Sequence, residues 1–126
     1  DSKMSEINRA SYKDLVVWQK SIVFACDIID LIDTIESNRK HYRLIEQLES
    51  ACTSVPMNIA EGKGRYSKKE FSHFLMIARG SLFETMTLLE IMKIKQWITT
   101  QNYEKLEEQA QIIGKMINAL NRSLKT

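Results

Sequence analysis

From Leu15 onward the apolar residues recur at alternating steps of three and four: Leu15, Trp18, Ile22, Ala25, Ile29 and Ile32. That repeat is the seam of an amphipathic helix, and Asp14 stands where an N-cap is expected. A second apolar stripe, Val17, Phe24, Ile28, Leu31 and Ile35, runs along the same segment. At about 100° per residue the two stripes, one residue out of register, lie more than a quarter of a turn apart. A polar linker over residues 36–40 follows. The next seam is His41, Ile45, Leu48, Cys52, Val55 and Ile59, with Pro56 inside it. Because the seam resumes at Ile59, the helix is expected to pass through Pro56 with a kink. Gly62 and Gly64 are expected to end it as C-cap and turn.

Ser67-Lys-Lys-Glu70 reads as a capping box. It opens a third seam: Phe71, Leu75, Ala78, Leu82, Thr85, Leu89 and Met92. Met76, Phe83 and Ile94 form a second stripe on this helix too. Gly80 lies in its interior, where glycine costs about 1 kcal/mol against alanine, so a close helix contact is expected there. The last seam is Tyr103, Leu106, Ala110, Ile113, Ile117, Leu120 and Leu124. Four such segments with short linkers predict an all-α, antiparallel up-down-up-down four-helix bundle over residues 12–126. Residues 1–11 are polar and aperiodic and read as a loose arm.

A helix in such a bundle needs only one apolar face, and the first and third have two. The surplus stripes predict self-association into a homo-oligomer through Val17, Phe24, Ile28, Leu31, Ile35, Met76, Phe83 and Ile94.

Composition sharpens the fold. Among 126 residues there are only 4 Gly and 1 Pro, which excludes a many-turned sandwich or barrel. Cys26 and Cys52 give no disulfide framework, and both occupy apolar positions, so both are expected in the core. No apolar run is long enough to span a membrane, and no membrane partner is expected. The expected compartment is the cytoplasm, with both thiols reduced.

Catalytic chemistry has little to stand on. Glu70 and His73 have the Glu-x-x-His spacing of di-iron bundles, but no second such motif accompanies them. There is no Cys-x-x-Cys, and Gly62-Lys-Gly-Arg65 lacks the ending of a P-loop. The chain is expected to be no enzyme and to hold no metal or cofactor.

The formal charge of +2 hides an uneven distribution. Residues 62–79 hold five cations against Glu70, or +4, which leaves −2 for the rest. Lys63, Arg65, Lys68, Lys69 and Arg79, with Tyr66 available for stacking, are the candidates for contact with RNA or DNA or another anion.

The centre of the chain carries a family resemblance. Ser54-Val-Pro-Met-Asn-Ile-Ala-Glu-Gly62, Arg65, Ser67-Lys-Lys-Glu-Phe71, Ala78-Arg-Gly-Ser-Leu82 and Glu84 resemble the "four helix bundle protein" family. So does the opening Tyr12-Lys-Asp-Leu-Val-Val-Trp-Gln-Lys20. That family includes proteins encoded in intervening sequences of bacterial 23S rRNA genes, and the accessory variability determinant of diversity-generating retroelements. The resemblance implies a homopentameric bundle without enzyme activity. Its retroelement members are strongly basic, bind nucleic acid and engage a reverse transcriptase. The mild charge here favours the intervening-sequence or an uncharacterised branch and weakens the carry-over of nucleic-acid binding. The alternative function is a protein-interaction scaffold, serving a reverse transcriptase, with no nucleic-acid affinity. Asn58 and Glu61 of the motif are expected to satisfy backbone groups freed by Pro56 or by the helix end.

Overall fold

An amphipathic helix persists in water only when its apolar stripe is covered, and four stripes cover one another when the helices stand side by side. The structure, a computed structural model, describes residues 11–35 and 41–125. A single 3-10 turn at Tyr12–Asp14 leads into α1 (Val16–Thr34), α2 (Tyr42–Lys63), α3 (Lys68–Ile94) and α4 (Thr100–Ser123). Each helix packs on the next in chain order, and α4 returns to α1, which closes the ring. The antiparallel up-down-up-down bundle is the predicted one. The linker at 36–40 and all of the expected arm except Ser11 lie outside the described residues.

The seams of α2, α3 and α4 point inward as predicted, with Leu48, Cys52, Val55, Ile59, Leu75, Ala78, Leu89, Met92, Ile113 and Ile117 almost fully buried. In α1 the buried line draws on both stripes. Val17, Phe24 and Ile28 are buried at 3%, 0% and 0% exposure, whereas Ile29 is 36% exposed. The inward line is Val17, Ser21, Phe24, Ile28 and Ile32. Ser21 disguises it in the sequence. Its hydroxyl donates to the Val17 carbonyl at 2.7 Å, so this polar side chain is buried without an unmade hydrogen bond. Val17, Phe24 and Ile28 therefore belong to the protein's own core and leave the list of interface candidates. Leu31, Ile35 and Met76 are half-buried against that core. Phe83 and Ile94 stay exposed, at 56% and 67%. Cys26 also departs from expectation: it faces solvent, while Cys52 is buried.

Two helix ends differ in detail from the sequence reading. Asp14 lies within the 3-10 turn, which Ser11 caps, and α1 begins at Leu15 without a side-chain cap. The helix does run through Pro56, and it ends at Lys63 with Gly64 as C-cap. Gly64 keeps right-handed backbone, with φ −77°. The turn after α3 instead uses a non-glycine residue in the left-handed region, Gln96 at φ 62°. Glycine or asparagine is the usual occupant of such a position. The Trp97 N–H then closes the turn onto the Met92 carbonyl at 2.9 Å.

Gly62 is not a terminator. It is buried within α2, and a β-carbon there would come within 2.8 Å of Phe74 Cβ and 2.9 Å of Phe71 Cδ1. The close contact expected at Gly80 is thus made by Gly62, and no described residue of another helix lies within 4 Å of a β-carbon built at Gly80. The two glycines make opposite predictions for the isolated chain. Gly62→Ala should lose about 1–3 kcal/mol through overpacking against helix α3. Gly80→Ala should gain up to about 1 kcal/mol of helix propensity. Urea denaturation of dilute protein measures both, and equal effects would refute the assignment.

Candidate nucleic-acid interface

The connection between α2 and α3 is short because Gly62 holds α2 against the first turn of α3. Lys63, Arg65, Tyr66, Lys68 and Lys69 are consequently crowded onto one end of the bundle, all exposed. Tyr66 stands wholly in solvent. The Ser67 hydroxyl accepts from the Glu70 N–H at 3.0 Å, as the capping box predicted. That cap occupies one of the amides an anion might have used, and the Glu70 carboxylate sits in the same first turn. Lysine and arginine side chains, rather than the helix terminus, are the cationic element here.

Two arginines are held by neighbours. Arg65 pairs with Glu61 one turn earlier, and its guanidinium lies 4.8 Å from the centre of the Phe74 ring. Arg79 covers the Phe83 ring at 5.0 Å. Arg79 is eleven residues beyond Lys68 on α3, about 17 Å along the axis. The structure therefore separates Arg79 from the other five candidates.

The fold adds cations that sequence neighbourhood could not show. Antiparallel packing returns the start of α1 and the finish of α4 to this same end. The Ser72 hydroxyl near the start of α3 donates to Asn121 near the finish of α4. Lys13, Arg122 and Lys125 thereby join the loop. The effect is larger across the whole molecule. In the half containing residues 11–25, 53–81 and 112–125, ten cations face only Asp14, Glu61 and Glu70, a net +7. The described residues of the opposite half carry ten acidic side chains against Arg43, Lys93, Lys95 and Lys105, a net −6. The bundle is a charge dipole along its axis.

Asn58 has a different task from the one expected. Its amide donates to the Ser54 carbonyl at 2.8 Å and to the Ser54 hydroxyl at 2.9 Å. The Ser54 and Ser81 hydroxyls lie 2.8 Å apart, so the three residues clasp α2 to α3. The carbonyl that Pro56 deprives of a donor is that of Cys52, which Asn58 does not reach. Glu61 serves Arg65 rather than the backbone.

At the acidic end the polar groups lock helices together. Lys93 Nζ lies 3.0 Å from Glu90 and 4.3 Å from the centre of the Tyr103 ring, while the Tyr103 hydroxyl donates to Glu107 at 3.0 Å. Burial drives the Tyr103 phenol upward, and the hydrogen bond from Lys93 holds the Glu90 carboxyl below its usual range. Burial also pushes the Cys52 thiol up to about 11, which keeps it protonated and unreactive near neutral pH. Glu70 and His73 sit on the exposed surface, and among the described residues no group of three His, Cys, Asp or Glu could hold a metal. No helix among them is long and apolar enough to cross a membrane.

Comparison with known proteins follows the same lines. The sequence profile of the 23S rRNA-intervening sequence proteins matches residues 13–119. A crystal structure of a protein of unknown function from the S23 ribosomal protein family of Bacteroides thetaiotaomicron superposes with a TM-score of 0.78. It is 28% identical, and the match covers 84% of this chain and 98% of that one. Comparison with curated proteins gave no match.

The polar clasp and the surface pair should respond differently to mutation. Asn58→Ala strands part of a half-buried network and should cost about 1–2 kcal/mol. Glu61→Ala removes a pair whose side chains are 54% and 43% exposed and should cost under about 1 kcal/mol. Thermal melts of the two variants check the order.

Proposed function

The chain belongs to the 23S rRNA-intervening sequence protein family, and on that footing we propose that it is a non-enzymatic nucleic-acid-binding bundle. The observation that supports this is the charge partition: +7 on the half that bears the α2–α3 loop, −6 on the described part of the other. A polyanion approaching this dipole is drawn to the loop end and repelled from the far end, so the protein binds in one orientation. Lys63, Lys68 and Lys69 contact phosphates, with Lys13, Arg122 and Lys125 widening the footprint. Arg65 contributes after releasing or sharing Glu61. The family takes its name from intervening sequences of 23S rRNA, which makes RNA the first polyanion to test.

A second reading, self-association, has its own support on α3. Ile77, Phe83, Ile91 and Ile94 are exposed on this helix at 39%, 56%, 39% and 67%. Gly80, in the same stretch, meets no described residue of another helix. A notch flanked by apolar side chains suits the backbone or side chains of a second copy. Assembly would repeat the basic end and raise avidity without any new contact.

Neutralising Lys63, Arg65, Lys68 and Lys69 together should weaken binding to an rRNA fragment at least about tenfold near 0.1 M salt. The salt slope should fall by up to about 3, at roughly 0.7–0.9 per lost phosphate contact. Gel shifts across a salt series measure both, and undiminished affinity removes the loop from the site. For the second reading, sedimentation velocity at micromolar concentration should show an oligomer, which Phe83→Glu disperses. A monomeric parent protein would end that reading; a pentamer is the stoichiometry that the sequence resemblance implies.

A further inference from the structure

At the basic end, beside the loop, α1 and α2 part to leave an open cleft of about 410 Å³. Its walls are Tyr12, Trp18 and Ile22 on one side and Pro56, Met57 and Ala60 on the other, with Glu61 at the rim. Tyr12 and Trp18 meet edge to face with ring centres 5.1 Å apart, which fixes both rings without covering them. Met57 is 67% exposed, an unusual state for an apolar side chain beside two aromatic rings. Among the described residues nothing fills the cleft, which is an aromatic and polarisable slot on the half of the molecule that carries +7.

We propose that this cleft receives an unpaired nucleobase, so that the protein prefers single-stranded or looped nucleic acid to continuous duplex. The inference rests on the nucleic-acid reading above and specifies its substrate. The chemistry of the surroundings favours this occupant. A planar base stacks on aromatic and thioether surface and loses little by leaving water, and every base has such a face. The phosphates on either side of that base need cations within reach. Lys13 adjoins Tyr12 on the 3-10 turn, while Lys63 and Arg65 follow Glu61 where α2 ends. The Glu61 carboxylate opposes phosphate but can accept a hydrogen bond from an exocyclic amine on the base edge. Asp14 on the 3-10 turn and Glu70 in the first turn of α3 are the other described acidic groups of this half. A duplex keeps its bases stacked inside and can offer the cleft nothing but backbone.

The protein contains two tryptophans, Trp18 and Trp97. Trp97 stacks on His41 at the opposite end, with ring centres 4.1 Å apart, so Trp97→Phe leaves Trp18 as the only indole reporter. A single-stranded oligonucleotide of about 15 residues should quench Trp18 emission, and the duplex of the same sequence should not. The double variant Tyr12→Ala, Met57→Ala should bind the single strand about tenfold more weakly and the duplex within about twofold of the parent. Circular dichroism confirms that it is folded, and the quenching measurement on the otherwise intact cleft stands even where it is not. Equal binding of both forms with unchanged Trp18 emission would overturn the cleft and leave the electrostatic reading standing. Binding of neither form would overturn both. Dispersal of an oligomer by the double variant, with strand preference unchanged, would show that a second copy covers the cleft and would also overturn it.

Discussion

The close approach of α2 to α3 is the constraint on which the rest of this structure depends. The two helices share the most extensive contact in the bundle. At one end Gly62 lets α2 lie directly on Phe71 and Phe74, closer than any side chain would allow. About two turns away the Ser54 hydroxyl, braced by Asn58, meets that of Ser81 across the same two helices. Pro56 lies between these two contacts, where the ladder of helix α2 is one hydrogen bond short. A helix weakened at Pro56 is thus fastened on both sides of the weak point. The fastening also dictates how short the loop is and therefore how tightly its cations are crowded.

That crowding has an electrostatic consequence beyond the loop. Like charges on one end of a small domain repel one another and oppose folding slightly, and nothing in the core requires them there. The acidic half shows the opposite solution, in which Glu90, Lys93, Tyr103 and Glu107 are interleaved and mutually satisfied. One end has its polar groups committed to holding helices together, and the other presents cations outward beside an aromatic cleft. The asymmetry is easier to understand as provision for a ligand than as a means of stability.

Much of the fold could be read from periodicity, because the seams of α2, α3 and α4 are apolar at every position but His41 and Thr85. The reading failed at α1 for a physical reason. Burial depends on whether a polar group finds a partner, and hydropathy alone does not register that. Ser21 can lie at the centre because a helix offers it the carbonyl four residues back. Hydropathy alone therefore ranks a stripe that contains serine below one that is wholly apolar, and so sets Phe24 and Ile28 on the outside. Cys26 was misplaced by the same one-residue displacement around the helix. The glycines show a related limit. Both Gly62 and Gly80 lie within helices, and only the neighbouring chain reveals that a β-carbon clashes at one and meets empty space at the other.

The sequence alone determined four helices, the proline-interrupted motif, the capped start of α3 and a local cluster of cations. These follow from interactions between residues a few positions apart, which spacing encodes directly. The tertiary structure decided which face of α1 is the core, that Arg79 stands apart from the loop, and that Lys13, Arg122 and Lys125 stand with it. It also turned a locally uneven charge into an axial dipole and opened a cleft between Trp18 and Met57. Those properties depend on which distant segments are brought side by side, and antiparallel packing joins residues that the chain separates by a hundred positions or more.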